Sequence, residues 1–430
     1  MSIENNKSKN LLNILKDGLV PALGCTEPIA IAYSTASAAR EVDGRLDKIK
    51  IRVNRNIYKN GLRVGIPGTG KTGLYFAAAL GYLIGDPAKD LEVIEGVNNQ
   101  DIKRAEDLLK QNKIDIEIAK ETERLFIETK IITAKNKAQA VTVDKHLNIR
   151  EIKTAKREEE FEKFKLGDKE KTESKYNIEK YSLEDIFEFA DKVNIAKLSI
   201  IEKGVDLSYN VFEQGRQKGV SLGDSLQKMI DSGLSNDNMM NRAQLMAATA
   251  SEARMSGCKK AVMSNSGSGN QGITAFLTVL GASEVKDISK EKLYRSLVVS
   301  NLVTMYIKSH LGVLSAMCGA AVAAGTGSSV GVIYMLDGDL KDATWAVRNM
   351  LGTLTGIACD GAKNGCAYKV ALSARWAVFS ALLALEGTSI PAKDGILADD
   401  FEKIIAHLGR VNNGMINTDE TIMEIMLENE

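Results

Sequence analysis

From Leu311 to Leu336 no residue carries a formal charge, and this stretch limits what the chain can fold into more than any other. A run of that length must leave water, either across a bilayer or into a protein core. It holds Gly319, Gly325, Gly327 and Gly331, and the Gly-Thr-Gly-Ser-Ser sequence at 325–329 is expected to interrupt a helix. The run therefore reads as a buried pair of elements beside a site, not as a membrane span. Cys318 sits inside it, in Ser315-Ala316-Met317-Cys318-Gly319.

Two more thiols bracket the loop Cys359-Asp360-Gly361-Ala362-Lys363-Asn364-Gly365-Cys366. Small neighbours let backbone and bulky inorganic sulfur approach these thiols. Three soft ligands suit zinc or an iron–sulfur cluster better than calcium or magnesium. Three rather than four leave one coordination position open, as a catalytic centre needs. The competing reading is three small buried core residues, since free cysteine is among the most buried types. Five cysteines in 430 residues are an odd number and no disulfide framework. The N-terminus lacks a basic-then-apolar leader, so a reducing cytoplasm is expected. Lys plus Arg and Asp plus Glu both number 56, which points to no nucleic-acid surface and no polybasic membrane tail.

The chain's patterns predict an α+β fold. Residues 1–155 read as a smaller mixed α/β domain, 156–180 as a charged connection, and 181–430 as a large, mainly helical domain carrying the thiol site. A first helix is expected around Leu11–Leu15, followed by a turn at Gly18–Gly24, and a second helix runs from Thr26 or Glu27 to about Glu41. Lys48–Val53 alternates polar and apolar residues as a half-buried strand does. A helix at Ile102–Gln111 and strands at Ile114–Ile118, Leu125–Thr133, Ala138–Val143 and Ile149–Ile152 follow. Later helices are expected at Met239–Met255, Lys290–Lys308, Trp345–Leu354 and Val370–Leu385.

Gly65-Ile66-Pro67-Gly68-Thr69-Gly70-Lys71-Thr72 matches a P-loop literally, and Asp337 ends an apolar run as a magnesium-binding aspartate would. The context opposes a nucleotide site. Asn54–Arg63 is polar, with Asn60-Gly61 read as a turn, where a buried strand should precede the loop; Pro67 also fixes a φ angle inside it. Gly24-Cys25-Thr26-Glu27-Pro28 sets a thiol just before a helix, where the helix dipole should lower its pKa and suit it to act as base or nucleophile; a small buried cap is the alternative. Ser264-Asn265-Ser266-Gly267-Ser268-Gly269-Asn270-Gln271-Gly272 resembles an anion nest suited to a carboxylate, or else a plain loop. Cys258 has charged neighbours and is expected not to ligate. Of His146, His310 and His407, none has a partner at zinc spacing, and His310 could stand behind Cys318. No lysine stands out as an attachment point for pyridoxal phosphate.

These motifs occur in a fixed order: Pro21–Pro28, Val64–Gly70, Ser264–Gly272, Leu314–Gly319 and Cys359–Cys366. Together they resemble the L-cysteine desulfidase family, which is similar to the iron–sulfur L-serine dehydratases of the serine dehydratase-like alpha family. The likeness runs from about residue 11 to 410. It implies a 4Fe-4S cluster held by Cys318, Cys359 and Cys366, and Cys25 as proton acceptor. The serine dehydratases carry a stretch that looks like Ser-His-Thr where this chain has Gly24-Cys25-Thr26, which tilts the expectation from serine to cysteine. The resemblance implies release of sulfide from L-cysteine as pyruvate and ammonia form, with L-serine dehydration as the alternative. Asn265, Ser266, Gly267, Ser268 and Asn270 would hold the small amino-acid substrate. An assembly of identical copies is left open.

Overall fold

The computed structural model describes residues 3–119, 122, 125–162, 164–166, 177–219, 221–312 and 315–429. Much of the charged connection expected at 156–180, and Leu314 of the fourth motif, lie outside the described residues. The first part of the chain comprises α1 (Ile3–Gly18), β1 (Leu19–Leu23), α2 (Thr26–Ala39), β2 (Leu46–Val53), α3 (Arg55–Gly61), α4 (Leu74–Ile84), α5 (Asn99–Leu109), β3 (Ile114–Ile118), β4 (Phe126–Thr133), β5 (Asn136–Val143) and β6 (Ile149–Lys156). The second comprises α6 (Leu183–Lys192), α7 (Ser199–Lys218), α8 (Ser221–Asp231), α9 (Met239–Met255), β7 (Ala261–Asn265), α10 (Gly269–Ser283), α11 (Lys290–Leu311), α12 (Gly325–Met335), α13 (Leu340–Leu354), α14 (Cys366–Leu385), α15 (Phe401–Gly414) and α16 (Ile416–Glu428). The fold is α+β.

Five strands form one sheet in the order β3-β2-β4-β5-β6, parallel between β2 and β3 and antiparallel elsewhere. In β2 the residues Ile49, Ile51 and Val53 are buried while Lys50 faces solvent, the alternation that one covered face requires. Helix α2 covers that face, with the Ser34 and Thr129 hydroxyls bonded at 2.9 Å in the buried contact. Helix α5 starts at a capping box, Asn98 and Asp101 each holding the other's backbone N–H.

Two expected loops are ordered elements. Residues Leu19–Leu23, read as a turn, form β1, which pairs antiparallel with β7 from Leu19 opposite Asn265 to Leu23 opposite Ala261. Periodicity misses both because five residues are too few to show it, and each strand's hydrogen bonds come from a partner over two hundred positions away. The Asn54–Arg63 stretch holds α3 instead of a turn; its polar look comes from Asn56 and Lys59, both buried by tertiary contacts.

The glycine run at 325–329 also departs from expectation, because it lies inside a helix. A π-helical turn at Ala320–Ala324 leads directly into α12. A Cβ at Gly327 would lie 2.6 Å from the Ser300 carbonyl oxygen, so the glycine lets α12 press against the backbone of α11. The hydroxyls of Thr326 and Ser328 donate to carbonyls one turn back, Val322 and Ala324, and so add no unmatched polar group. The whole of Ala320–Met335 is buried in protein. Among the described residues one helix, Cys366–Leu385, is long and apolar enough to cross a membrane, and half of that window is buried against α9, α12 and α13.

The two ends of the chain cross over. Leu11, Ile14 and Leu15 of α1 pack into the helical core, whereas Met423 of α16 packs into the core beneath the sheet. Lys59 of α3 is buried and pairs with Asp419 of α16, and Arg55 pairs with Glu420. The Lys59 side chain is only 1% exposed, so its ammonium depends on that partner. Asp419→Ala is expected to cost about 3 kcal/mol of unfolding free energy by stranding a buried charge. A lower urea midpoint at unchanged slope is the readout, and Lys59→Met in the same chain should restore much of the loss.

Candidate active site

The β1–β7 pairing fixes the site. It brings the Gly24-Cys25 turn, which follows β1, beside the Ser266–Ser268 turn, which follows β7. Both turns open onto a cavity of about 180 Å³ whose far wall carries Cys318, Cys359 and Cys366. Of the residues singled out in the sequence, Cys25, Ser266, Gly267, Ser268, Asn270, Cys318, Cys359 and Cys366 line this one cavity. Asn265 does not. Its amide is turned away and donates to the Asn301 side-chain oxygen at 2.9 Å, which fixes the turn from behind.

The three thiols of the far wall come from two kinds of backbone, a bridged pair of extended segments and a helix start. Met317 and Ala358 form an antiparallel bridge, and on either side of it the Cys318 N–H donates to Ile357 O (2.8 Å) and the Cys359 N–H to Ala316 O (2.7 Å). These bonds hold Cys318 and Cys359 side by side. Cys366 is the first residue of α14, and its N–H donates to Lys363 O at 2.9 Å. The helical segments after Cys318 and from Cys366 both point their N-termini at the cavity, which favours negative charge there. Asp360 receives Lys369 at 2.5 Å and Lys363 at 2.6 Å and so pins the loop between the last two cysteines.

Burial, with Cys359 and Cys366 nearby, pushes the Cys318 thiol up to about 12; burial also raises Cys366. Bringing three neighbouring thiols to the thiolate form together needs a cation among them. Among the described residues no group of three or more His, Cys, Asp or Glu side chains stands at the spacing of a single metal ion. A multi-iron cluster makes a different demand, because each thiolate then binds its own iron and the sulfurs stand farther apart. The donor set of three free thiols facing one cavity fits such a cluster.

Cys25 is the N-cap of α2, and its side chain makes no capping bond. Its titration corrects the sequence expectation. Burial and the nearby Glu27 carboxylate push this thiol up to about 12 instead of lowering it. The dipole loses because the sulfur is buried and Glu27 occupies the first helical turn. Arg254, with Nη2 3.8 Å from the sulfur, is the nearby group that favours the thiolate.

Sequence reading gave no site role to Arg254, Lys308, Glu27 or His146, all of which line the cavity. Arg254 lies mid-core on α9, and its helix showed no polar face to mark it. Lys308, near the end of α11, is buried with its Nζ 3.5 Å from Ser315 Oγ, and burial lowers its pKa to about 8. Glu27 accepts from Thr26 Oγ1 (3.1 Å) and Asn60 Nδ2 (3.2 Å). His146, in the turn between β5 and β6, has its pKa lowered by burial, with the Glu27 charge opposing. His310 does not face the cavity; its ring lies on Tyr306, and Nδ1 is 3.1 Å from the Tyr306 carbonyl. Cys258 also lies elsewhere, its thiol donating to Gln214 Oε1 at 2.7 Å.

The P-loop-like segment has no free N–H cradle. Gly65 and Gly68 donate to Met255 O and Gly257 O, Ile66 to Lys71 O, and Lys71 to the Thr69 hydroxyl. Lys71 itself pairs with Glu106 at 2.5 Å. A helix, α3, precedes the loop where a parallel strand would be needed, and Asp337 is spent on a surface pair with Lys292 at 2.7 Å. The segment is a tight turn that packs against the end of α9.

The model of the family described as serine dehydratase alpha chain matches residues 88–424. A UPF0597 protein of Clostridium tetani is 37% identical over 434 residues, covering 98% of this chain and 99% of that protein. A UPF0597 protein of Caldanaerobacter subterraneus is 38% identical over 426 residues, 98% of each. One from Desulfatibacillum aliphaticivorans is 37% identical over 431 residues, covering 97% of this chain and 98% of that protein.

Proposed function

Because the chain belongs to the serine dehydratase alpha chain family, we propose that it is an iron–sulfur-dependent lyase that releases sulfide from L-cysteine to give pyruvate and ammonia. The observation that carries this reading is the meeting of Cys25 with Cys318, Cys359 and Cys366 around one cavity. The last three would hold a 4Fe-4S cluster. When bound, such a cluster with only three protein ligands supplies a Lewis-acidic iron with an open position for a departing thiolate.

The chain's own residues supply the rest. Cys25, as the thiolate that the Arg254 guanidinium favours, takes the α-proton of the substrate onto its sulfur as the β-carbon–sulfur bond breaks and sulfide leaves with that bond's electron pair; the proton then passes to the leaving sulfide, which restores the thiolate. The product aminoacrylate tautomerises, and water hydrolyses it to pyruvate and ammonia. A thiol whose pKa is pushed up by burial is a strong base once it has lost its proton, as the weakly acidic α-proton requires. Lys369 sets positive charge near Cys318 and Cys366 and so favours their anionic state. The Ser266–Ser268 turn and the first residues of α10 line the cavity together with Cys25. Reduced thiols and an oxygen-sensitive cofactor suit the cytoplasm.

The family's name keeps L-serine as the second reading. Anaerobically purified protein should be brown and should release sulfide from L-cysteine faster than pyruvate from L-serine at equal concentration. Faster turnover of serine would replace the first reading with the second. A colourless protein free of iron would end both.

A further inference from the structure

Two side chains on the cavity wall are each anchored at one end and leave a buried polar atom without a partner at the other. Among the described residues Arg254 Nε and Gln271 Oε1 make no hydrogen bond. Arg254 is 7% exposed and Gln271 1%, so bulk water does not serve either atom. The rest of each group is fixed. Arg254 Nη1 donates to Asn270 Oδ1 at 3.1 Å and Nη2 to Gly24 O at 2.9 Å, while Gln271 Nε2 donates to Asn265 O at 3.4 Å. All of these acceptors are uncharged, so among the described residues the guanidinium is paired with no carboxylate.

No side chain can stand on the backbone beside either atom. A Cβ at position 269 would lie 2.4 Å from Arg254 Nε, and one at position 319 would lie 2.8 Å from Gln271 Oε1. Glycine stands at both. A buried donor or acceptor left unmatched is costly, and more so when charged. One cationic donor and one neutral acceptor facing a common cavity complement a ligand with an anionic acceptor and a cationic donor. The carboxylate and ammonium of an α-amino acid zwitterion are such a pair.

We propose that Arg254 and Gln271 are the specificity-determining pair of this site, Arg254 Nε donating to the substrate carboxylate and Gln271 Oε1 accepting from its ammonium group. Asn270 then acts through Arg254, holding the guanidinium, and is a positioning residue. The Arg254–carboxylate contact places the α-carbon near Cys25, because Nη2 of the same guanidinium lies 3.8 Å from the Cys25 sulfur. The inference deepens the lyase reading by saying which residues recognise the amino acid, and its test does not use turnover.

The test is calorimetric titration of the anaerobically purified full chain with L-alanine, propionate and ethylamine. L-Alanine carries both charged groups and nothing that can leave; the other two carry one group each. Wild type is expected to bind L-alanine at least about tenfold tighter than either fragment. Arg254→Gln should weaken L-alanine by about tenfold or more and leave ethylamine unchanged, with Arg254→Lys recovering part of the loss. Gln271→Met should weaken L-alanine and ethylamine but not propionate. Thermal melts identify any variant that fails to fold, and the three-ligand comparison on wild type decides without any variant. L-Alanine binding no better than a fragment, or wild-type affinity in a folded Arg254→Gln, would overturn the pair. Discriminating alanine binding without sulfide release would instead sink only the lyase reading.

Discussion

Replacing any one of Cys318, Cys359 or Cys366 with alanine is expected to strip iron and colour from the anaerobically purified protein and to abolish sulfide release, with the fold left in place. The geometry separates the chemical role of these residues from their structural one. Cys318 and Cys359 are held by main-chain bonds, Cys318 N–H to Ile357 O and Cys359 N–H to Ala316 O, which alanine keeps. Cys366 opens α14, where alanine is a good helix residue. The lost group is therefore the thiolate alone, and the two remaining sulfurs are expected not to hold iron through purification. Iron and acid-labile sulfide per chain are the measurements, with far-UV circular dichroism as control. Full iron content and turnover in any one of the three variants would remove that cysteine from the ligand set.

The second large effect is expected at Cys25, and it has the opposite signature. Cys25→Ala should keep its iron and colour while turnover falls about 100- to 10,000-fold, the range for loss of a positioned proton-transfer group. The thiol lies across the cavity beside Arg254 and caps no helical N–H, so its removal leaves α2 its first turn. The two sets of variants form a crossed test, in which the far-wall cysteines lose both colour and turnover and Cys25 loses turnover alone. A bleached Cys25→Ala would instead make Cys25 a fourth ligand and leave no open position for substrate.

Local pattern carried some of this molecule and not the rest. The strand through Lys48–Val53 was legible because its polar and apolar residues alternate, and the helix at Met239–Met255 because it is rich in alanine and methionine. The short strands Leu19–Leu23 and Ala261–Asn265 were not, because they are strands only through each other. The thiols could be singled out because cysteine is rare and small residues flank it. Arg254 and Lys308 could not, because a lysine or arginine within a helix usually faces water, and only the packing of α9 and α11 shows that these two do not. The titration of Cys25 failed for a related reason: position in the sequence reveals a helix start, but not how deeply the start is buried.

The pairing of β1 with β7 bears on how the protein comes to exist. The thiol at position 25 waits for strand Ala261–Asn265, and the far wall waits for the helix that begins at Cys366. A polypeptide leaving the ribosome therefore carries most of its length before any part of the pocket can close, and contacts so distant along a chain form slowly. If the three thiols take a cluster as proposed, an unfinished chain would offer it only separated sulfurs, so loading is expected late in folding.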